Sequence, residues 1–369
     1  MSDRDPLCIV CLTPAGAGAI ATLRVEGNGA LDAVAVAFRL RSGMSLHNSP
    51  VDQPTLGLFG PEPGEPIVVH RRRDGAVELH CHGGTAAVQR IAHLLAQAGA
   101  RIVSWQDWMR THAPDPIAAD ARLAMANART ERTAAILLDQ YGGAWARAMA
   151  EIEQLISAGE NESARRRVQT LLARADLGRH LTTPWRIVLA GRPNVGKSSL
   201  MNAMLGYERA IVHTTAGTTR DVLTAATAID GWPVELIDTA GLAPPGPEQD
   251  DQILLNRGIA LGEQQMAEAD LLVLVCDSAL PLSDQETTWL QQWPRALQVD
   301  NKSDLPAAAG ERTPAIRTSA LLGDGLSELL EAIARRLVPS VPLPGAAVPF
   351  TVQQSSRLQT LLDSLPGRA

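Results

Sequence analysis

Arg186-Ile-Val-Leu-Ala190 runs straight into Gly191-Arg-Pro-Asn-Val-Gly-Lys-Ser198, and the reading of that junction decides the fold. The apolar run is a strand, and a helix is expected to open near Lys197. Between them the glycines let backbone N–H groups converge on a β-phosphate at the helix N-terminus. Lys197 is placed to reach the β- and γ-phosphates, and the Ser198 hydroxyl to hold Mg²⁺. A glycine-rich turn that binds nothing is the competing reading. The strand before, the helix after and the Lys-Ser pair weigh against it.

Further along the chain the same chemistry is completed at successive strand ends. Asp238-Thr-Ala-Gly241 closes the strand Val234–Ile237, where Asp238 can reach the Mg²⁺ shell through water and the Gly241 amide can meet the γ-phosphate. Asn301-Lys-Ser-Asp304 follows another strand. The Asp304 carboxylate can accept from N1–H and the exocyclic amine of guanine, which adenine does not offer together. Asn301 is expected to brace the loops, the Lys302 stem to pack on the base, and the Ala320 amide of Thr318-Ser-Ala320 to donate to the guanine O6. Thr214-Thr-Ala-Gly-Thr-Thr-Arg-Asp221 lies between, with Thr219 as second Mg²⁺ ligand. Each of the later strings alone also reads as a turn or a polar surface loop; their order along the chain favours the site. The expected GTP contacts are Asn194, Val195, Gly196, Lys197, Ser198, Ser199, Thr218, Thr219, Asp238, Thr239, Ala240, Gly241, Asn301, Lys302, Asp304, Ser319 and Ala320.

Turnover is less fully specified. Leu242, after Asp238-Thr-Ala-Gly241, cannot orient water as a glutamine does. Asn194 could help seat a monovalent cation between the α- and γ-phosphates, supplying the charge that an arginine brings elsewhere; it also reads as a loop-bracing amide. Lys197, Thr219 and Asn194 form the expected catalytic set.

Around this domain the pattern changes. Residues 6 to 30 read as strand–loop–strand, Ala30 to Leu40 as a helix, Ile67 to His70 and Ala76 to His80 as strands, and Thr85 to Ala98 as an amphipathic helix. From Asp115 to Leu177 the composition turns to Ala, Arg, Glu and Leu at helical spacing, with Gly142–Gly143 and Gly159 as breaks. The expected organisation is an N-terminal α+β domain over 1–110, a helical domain over 111–183 and a P-loop GTP-binding domain over 184–340. A Pro-rich linker and last helix follow over 341–369. The overall class is α/β, with a mainly parallel doubly wound sheet.

Bulk composition narrows the partners. Hydrophobic residues at 45% and charged residues at 20% describe a globular chain of 369 residues. No apolar run reaches the roughly eighteen residues of a membrane span, so a cytoplasmic placement is expected. A net charge of −7 gives no general attraction to nucleic acid, so any RNA contact must be local. Cys8 and Cys11 read as buried strand residues before a metal pair, and His80 and His82 as packing residues, with no third ligand placed beside them. Arg71–Arg73 and Arg165–Arg167 read as solvated faces before nucleic-acid phosphate contacts.

Gly191-Arg-Pro-Asn-Val-Gly-Lys-Ser-Ser199, Ala216-Gly-Thr-Thr-Arg-Asp-Val222 and Asp238-Thr-Ala-Gly-Leu242 resemble the tRNA-modification GTPase family known as MnmE or TrmE. Era and Der share parts of these strings, and the N-terminus separates them. Thr13-Pro-Ala-Gly-Ala-Gly-Ala-Ile-Ala-Thr-Leu-Arg-Val-Glu-Gly27 and Val77-Glu-Leu-His-Cys-His-Gly-Gly84 are similar to that family's opening signatures. The resemblance implies a folate one-carbon donor near Arg24 and Glu78, and K⁺ held by Asn194 with backbone groups of His213, Thr215 and Thr218. It also implies a homodimer through the N-terminal domains, an FAD-dependent partner, and modification of the tRNA wobble uridine.

The departures from the family pattern are specific. The chain stops at Ala369 without the family's cysteine tail, Ala17 stands where an arginine is usual, and Leu255 falls near the family's catalytic glutamate. Glu248, Asp250 or Asp251 could replace that glutamate after a loop shift. A shortened, divergent member with slow turnover is the expectation. The alternatives are a regulatory GTPase switch, for example in ribosome assembly, and a GTP-binding interaction protein that does not hydrolyse.

Overall fold

The computed structural model describes residues 6–14, 18–207, 223–239, 264–308 and 315–366. Contacts divide the chain into two compact units, Met1–Ala119 and Asp120–Ala369.

The first unit is a sheet of β1 (Cys8–Cys11), β2 (Ile20–Glu26), β3 (Phe38–Leu40), β4 (Pro54–Phe59), β5 (Glu65–Arg71), β6 (Val77–His82) and β7 (Arg101–Val103), in spatial order β3-β4-β5-β6-β2-β1-β7. Only β1 and β7 pair in parallel. Alternation sorts β2 into two faces: Ala21, Leu23 and Val25 are buried, while Thr22, Arg24 and Glu26 lie on the other side. The buried face packs with α1 (Ala30–Ala37) and α2 (Thr85–Gln97), and α3 (Trp105–His112) follows β7. The helix expected over 30–40 therefore ends early. Phe38 is extended, pairs with Phe59 and is buried, so strand pairing and burial override the local helical pattern. A Cβ on Gly57 would come within 2.4 Å of the Phe38 ring, so this strand crossing needs a residue without a side chain.

In the second unit β8 (Trp185–Ala190), β9 (Leu223–Ile229), β10 (Trp232–Asp238), β11 (Leu271–Asp277), β12 (Leu297–Asn301) and β13 (Ile316–Arg317) take the order β13-β12-β11-β8-β10-β9. All neighbours are parallel except β9 and β10. Their hairpin turns at Asp230-Gly231, both with positive φ (49° and 74°), the backbone a two-residue loop requires.

Helix α4 (Pro116–Met125) precedes α5 (Glu131–Tyr141), α6 (Ala144–Ser157), α7 (Asn161–Leu172) and α8 (Ala175–Arg179). Beside the sheet stand α9 (Lys197–Tyr207), α10 (Asp284–Gln292) and α11 (Leu326–Leu337). The last helix, α12 (Val352–Ser364), packs against α7, where Arg165 Nη2 donates to the Leu365 carbonyl at 2.7 Å. Buried β8, α9, β10 and α11 residues form one core with Leu177, Leu181 and Val348, so the helices and the sheet share their apolar interior.

Candidate functional site

Strand β8 is buried on both sides, which brings its C-terminal end to the loop 191–196 at the start of α9. That loop is shaped by what surrounds it. A Cβ on Gly191 would lie 2.2 Å from the Val275 carbonyl oxygen of β11, and one on Gly196 (φ 96°) would lie 2.4 Å from Asn301 Nδ2. Glycine is thus required at both places by close approach of neighbouring strands and loops. Asn194 also has positive φ (65°) and is exposed, putting its amide side chain at the loop's outer surface.

Lys197 is 4% exposed, and its ammonium donates to the carbonyls of Gly191 and Arg192 at 2.9 Å each. Burial pushes its pKa below the ordinary lysine value, with Asp238 acting in the opposite direction. Ser198 donates its hydroxyl to the Asp238 carboxylate, which is fully buried at the end of β10. A hydroxyl and a carboxylate side by side are hard oxygen donors of the kind that Mg²⁺ takes, and these residues fit that ion. Thr239 donates to the Leu189 carbonyl at 2.9 Å, tying the end of β10 back to β8.

The loops expected to read guanine are joined to the expected phosphate loop by one side chain. Asn301 Nδ2 donates to the Val195 carbonyl at 3.0 Å, and Asn301 Oδ1 accepts from Thr318 Oγ1 at 3.2 Å and from the Ala320 amide at 3.1 Å. The bracing role read for Asn301 has this geometry, and the Ala320 amide expected to face guanine O6 is turned onto it. Ser319 Oγ donates to Asp304 at 2.5 Å, and the Lys302 ammonium meets the buried Asp277 at 2.7 Å. Asp277 carried no motif; its signal was only its place at the end of an apolar strand. Thr218, Thr219, Ala240, Gly241, Leu242, Glu248, Asp250, Asp251, Leu255, His213 and Thr215 lie outside the described residues.

In the other unit Arg24 and Glu78 face each other across β2 and β6 and are paired at 3.3 Å. Arg24 also meets Glu26 at 2.7 Å and Asp74 at 2.5 Å. Burial acts to lower the Arg24 value, but the bonds to Glu26 and Asp74 outweigh it and hold the group above its ordinary pKa. Trp108 Nε1 donates to Glu26 at 2.6 Å, and Arg24 stands 5.9 Å from the Trp108 ring centroid.

Contrary to the sequence reading, His80 and His82 do not both lack a third ligand. His80 does have companions for a metal: ligand atoms of His70, Glu78 and His80 lie within 4.8 Å of one another. They meet because β5 and β6 pair His70 with Glu78, a register the sequence alone does not show. Arg24 and Arg72 both approach Glu78, and Arg72 reaches His70 at 3.5 Å, so cations already compete for those ligands. His82 instead meets Glu65 at 2.6 Å. No cysteine among the described residues is disulfide-bonded, and burial raises the Cys81 thiol to about 11, which suits a packing residue.

A family profile described as "50S ribosome-binding GTPase" matches residues 186–303. The tRNA modification GTPase MnmE of Moorella thermoacetica is 30% identical over 404 residues, covering 96% of this chain and 86% of that protein. A protein of the same name from Thermus thermophilus is 33% identical over 373 residues, covering 91% of this chain and 83% of its own. Among solved structures, an Era variant of Aquifex aeolicus aligns with 44% of this chain and 60% of its own, with 25% identity and a TM-score of 0.32. No helix among the described residues is long and apolar enough to cross a membrane.

Proposed function

The chain belongs to the MnmE family of tRNA modification GTPases, and from that membership we propose how its own residues bind GTP and what the turnover serves. GTP hydrolysis comes with the family and with its GTPase domain. The observation that carries the site assignment is Asn301, which bonds the phosphate loop at Val195 and the base loop at Ala320 with one side chain. Phosphate and base recognition are thereby held in one rigid frame.

Backbone amides of 194–199 bind the phosphates, and Lys197 leaves the carbonyls of Gly191 and Arg192 to bridge the β- and γ-oxygens. Ser198 and Thr219 would hold Mg²⁺, with Asp238 reaching it through water, and there the ion would supply positive charge against the developing phosphate charge. Asp304 selects guanine, held by Ser319, while the Lys302 stem lies along the base. Asn194, at the outer face of the loop, would share a K⁺ ion with backbone groups of His213, Thr215 and Thr218.

GTP turnover is expected to be faster in K⁺ than in Na⁺, and Asn194→Ala to erase the difference. Equal rates of phosphate release by the wild type in both salts would remove the cation from this reading. The turnover serves modification of the tRNA wobble uridine with an FAD-dependent partner, in a homodimer formed through the N-terminal domains. Mass spectrometry of tRNA from a deletion strain tests this: unchanged wobble nucleosides would refute the tRNA role. The folate one-carbon donor is assigned to the face of Arg24 and Glu78, where carboxylates stand beside the Trp108 ring, a combination suited to a flat heterocycle bearing N–H donors. Glu78→Gln is expected to abolish tetrahydrofolate binding in calorimetry.

A further inference from the structure

Glu286 takes no part in the nucleotide motifs, yet it is ion-paired with Arg192 of the phosphate loop and its side chain is only 2% exposed. Its Oε2 accepts from the Ser283 amide and the Ser283 hydroxyl at 2.8 Å each, closing the capping box of α10. The same oxygen lies 3.2 Å from Arg192 Nε in an ion pair outside hydrogen-bond geometry, and both Arg192 Nε and Glu286 Oε1 are buried with no hydrogen-bond partner. Arg192 is the cationic partner that balances this buried carboxylate. Arg192 is also the residue whose carbonyl receives the Lys197 ammonium at 2.9 Å.

We propose that Glu286 is a positioning residue for the nucleotide site: through Arg192 it fixes the backbone on which Lys197 is poised. This rests on the phosphate-loop reading above and adds to it a control point on α10, a different element of the sheet's flank. In this reading Glu286 acts through Arg192 and not by contact with the nucleotide. Its effect passes through the carbonyl of Arg192 and the path of the loop between Gly191 and Gly196, which neighbouring atoms already restrict. A carboxylate retained only to cap α10 would have no reason to carry a guanidinium from the phosphate loop.

The test uses the 369-residue chain and the fluorescent nucleotide mant-GDP. Glu286→Gln keeps the side-chain shape and removes the charge; Arg192→Gln removes the partner. Each is expected to speed mant-GDP dissociation about ten-fold, and the double variant to be no faster than either single one, as for two residues acting through one contact. In steady state the KM for GTP should rise more than kcat falls. Ser283→Ala weakens the cap and leaves the ion pair, so it should lower the melting temperature with dissociation unchanged. Unchanged dissociation in both Glu286→Gln and Arg192→Gln, or effects that simply multiply, would overturn the proposal. If Glu286→Gln fails to fold, Arg192→Gln alone decides, because its side chain is 30% exposed and its loss leaves the cap intact. Failure of the wild type to bind mant-GDP would instead sink the phosphate-loop reading itself.

Discussion

Lys197 shows how one side chain can oppose stability and serve a site. Its ammonium is buried, and burial drives its pKa below the ordinary 10.5, with two carbonyls only partly compensating for lost water. The unfolded chain therefore binds this proton more readily than the folded one. Stability gains as pH rises from the lowered folded value toward 10.5, and below that window the charged group is carried at a cost. Lys197→Met should raise the melting temperature measured without nucleotide, flatten that alkaline gain, and abolish the further rise that GDP produces in the wild type; a lower melting temperature would contradict the argument. Asp304 is exposed but anchored by Ser319. Asp304→Asn exchanges an acceptor for an amide, so GTP should bind at least about ten-fold more weakly while xanthosine triphosphate, with a carbonyl in place of the amine, gains. Competition against mant-GTP measures both. Lys197, Asp304 and Asn301 were legible in the sequence because their chemistry lies within short strings; Asp277 and Glu286 were not, because only folding gives them their partners.

Among the elements, the Pro-rich stretch that begins the segment 341–369 is exposed over 343–345 and buried over 347–349, where α5 holds it. Gln140 of α5, 1% exposed, donates to the Ala346 carbonyl at 3.0 Å and accepts from the Val348 amide at 3.1 Å. Gln140→Ala leaves two backbone groups without partners and should cost about 2 kcal/mol in urea denaturation; a change under about 0.5 kcal/mol would show that water replaces the side chain easily. Gly178 of α8 meets the same segment from the other side, where a Cβ would lie 1.8 Å from the Pro349 carbonyl oxygen. Gly178→Ala should therefore destabilise by about 3 kcal/mol or more, read by the same titration, since both contacting groups are backbone. The strands β8, β10 and β12 were foreseeable from apolar runs ending at motif residues, and β11 from its apolar run alone. The hairpin of β9 and β10 had a signal too, Asp230-Gly231 between two apolar stretches, whereas the short strand β3 had none, because Phe38 takes its conformation from its pairing with Phe59.

For the whole molecule, the described nucleotide-site residues all fall in the unit Asp120–Ala369, together with the helices that share its core. A fragment of residues 120–369 should accordingly bind mant-GDP with an affinity comparable to the full chain, and loss of binding by a folded fragment would show that the first unit contributes. What the sequence by itself determined was the nucleotide chemistry and its order along the chain. Phosphate cradling and guanine readout depend on residue types at fixed short spacings, and a strand–loop–helix unit presents them nearly automatically. Only the tertiary structure decided which remote side chains meet those loops, Asn301 on Val195 and Glu286 on Arg192, and that Gln140 holds the chain before α12. It also brought His70, Glu78 and Arg24 onto one sheet face. The physical reason is that strand register and helix packing set these contacts, and both follow from burying the apolar core as a whole.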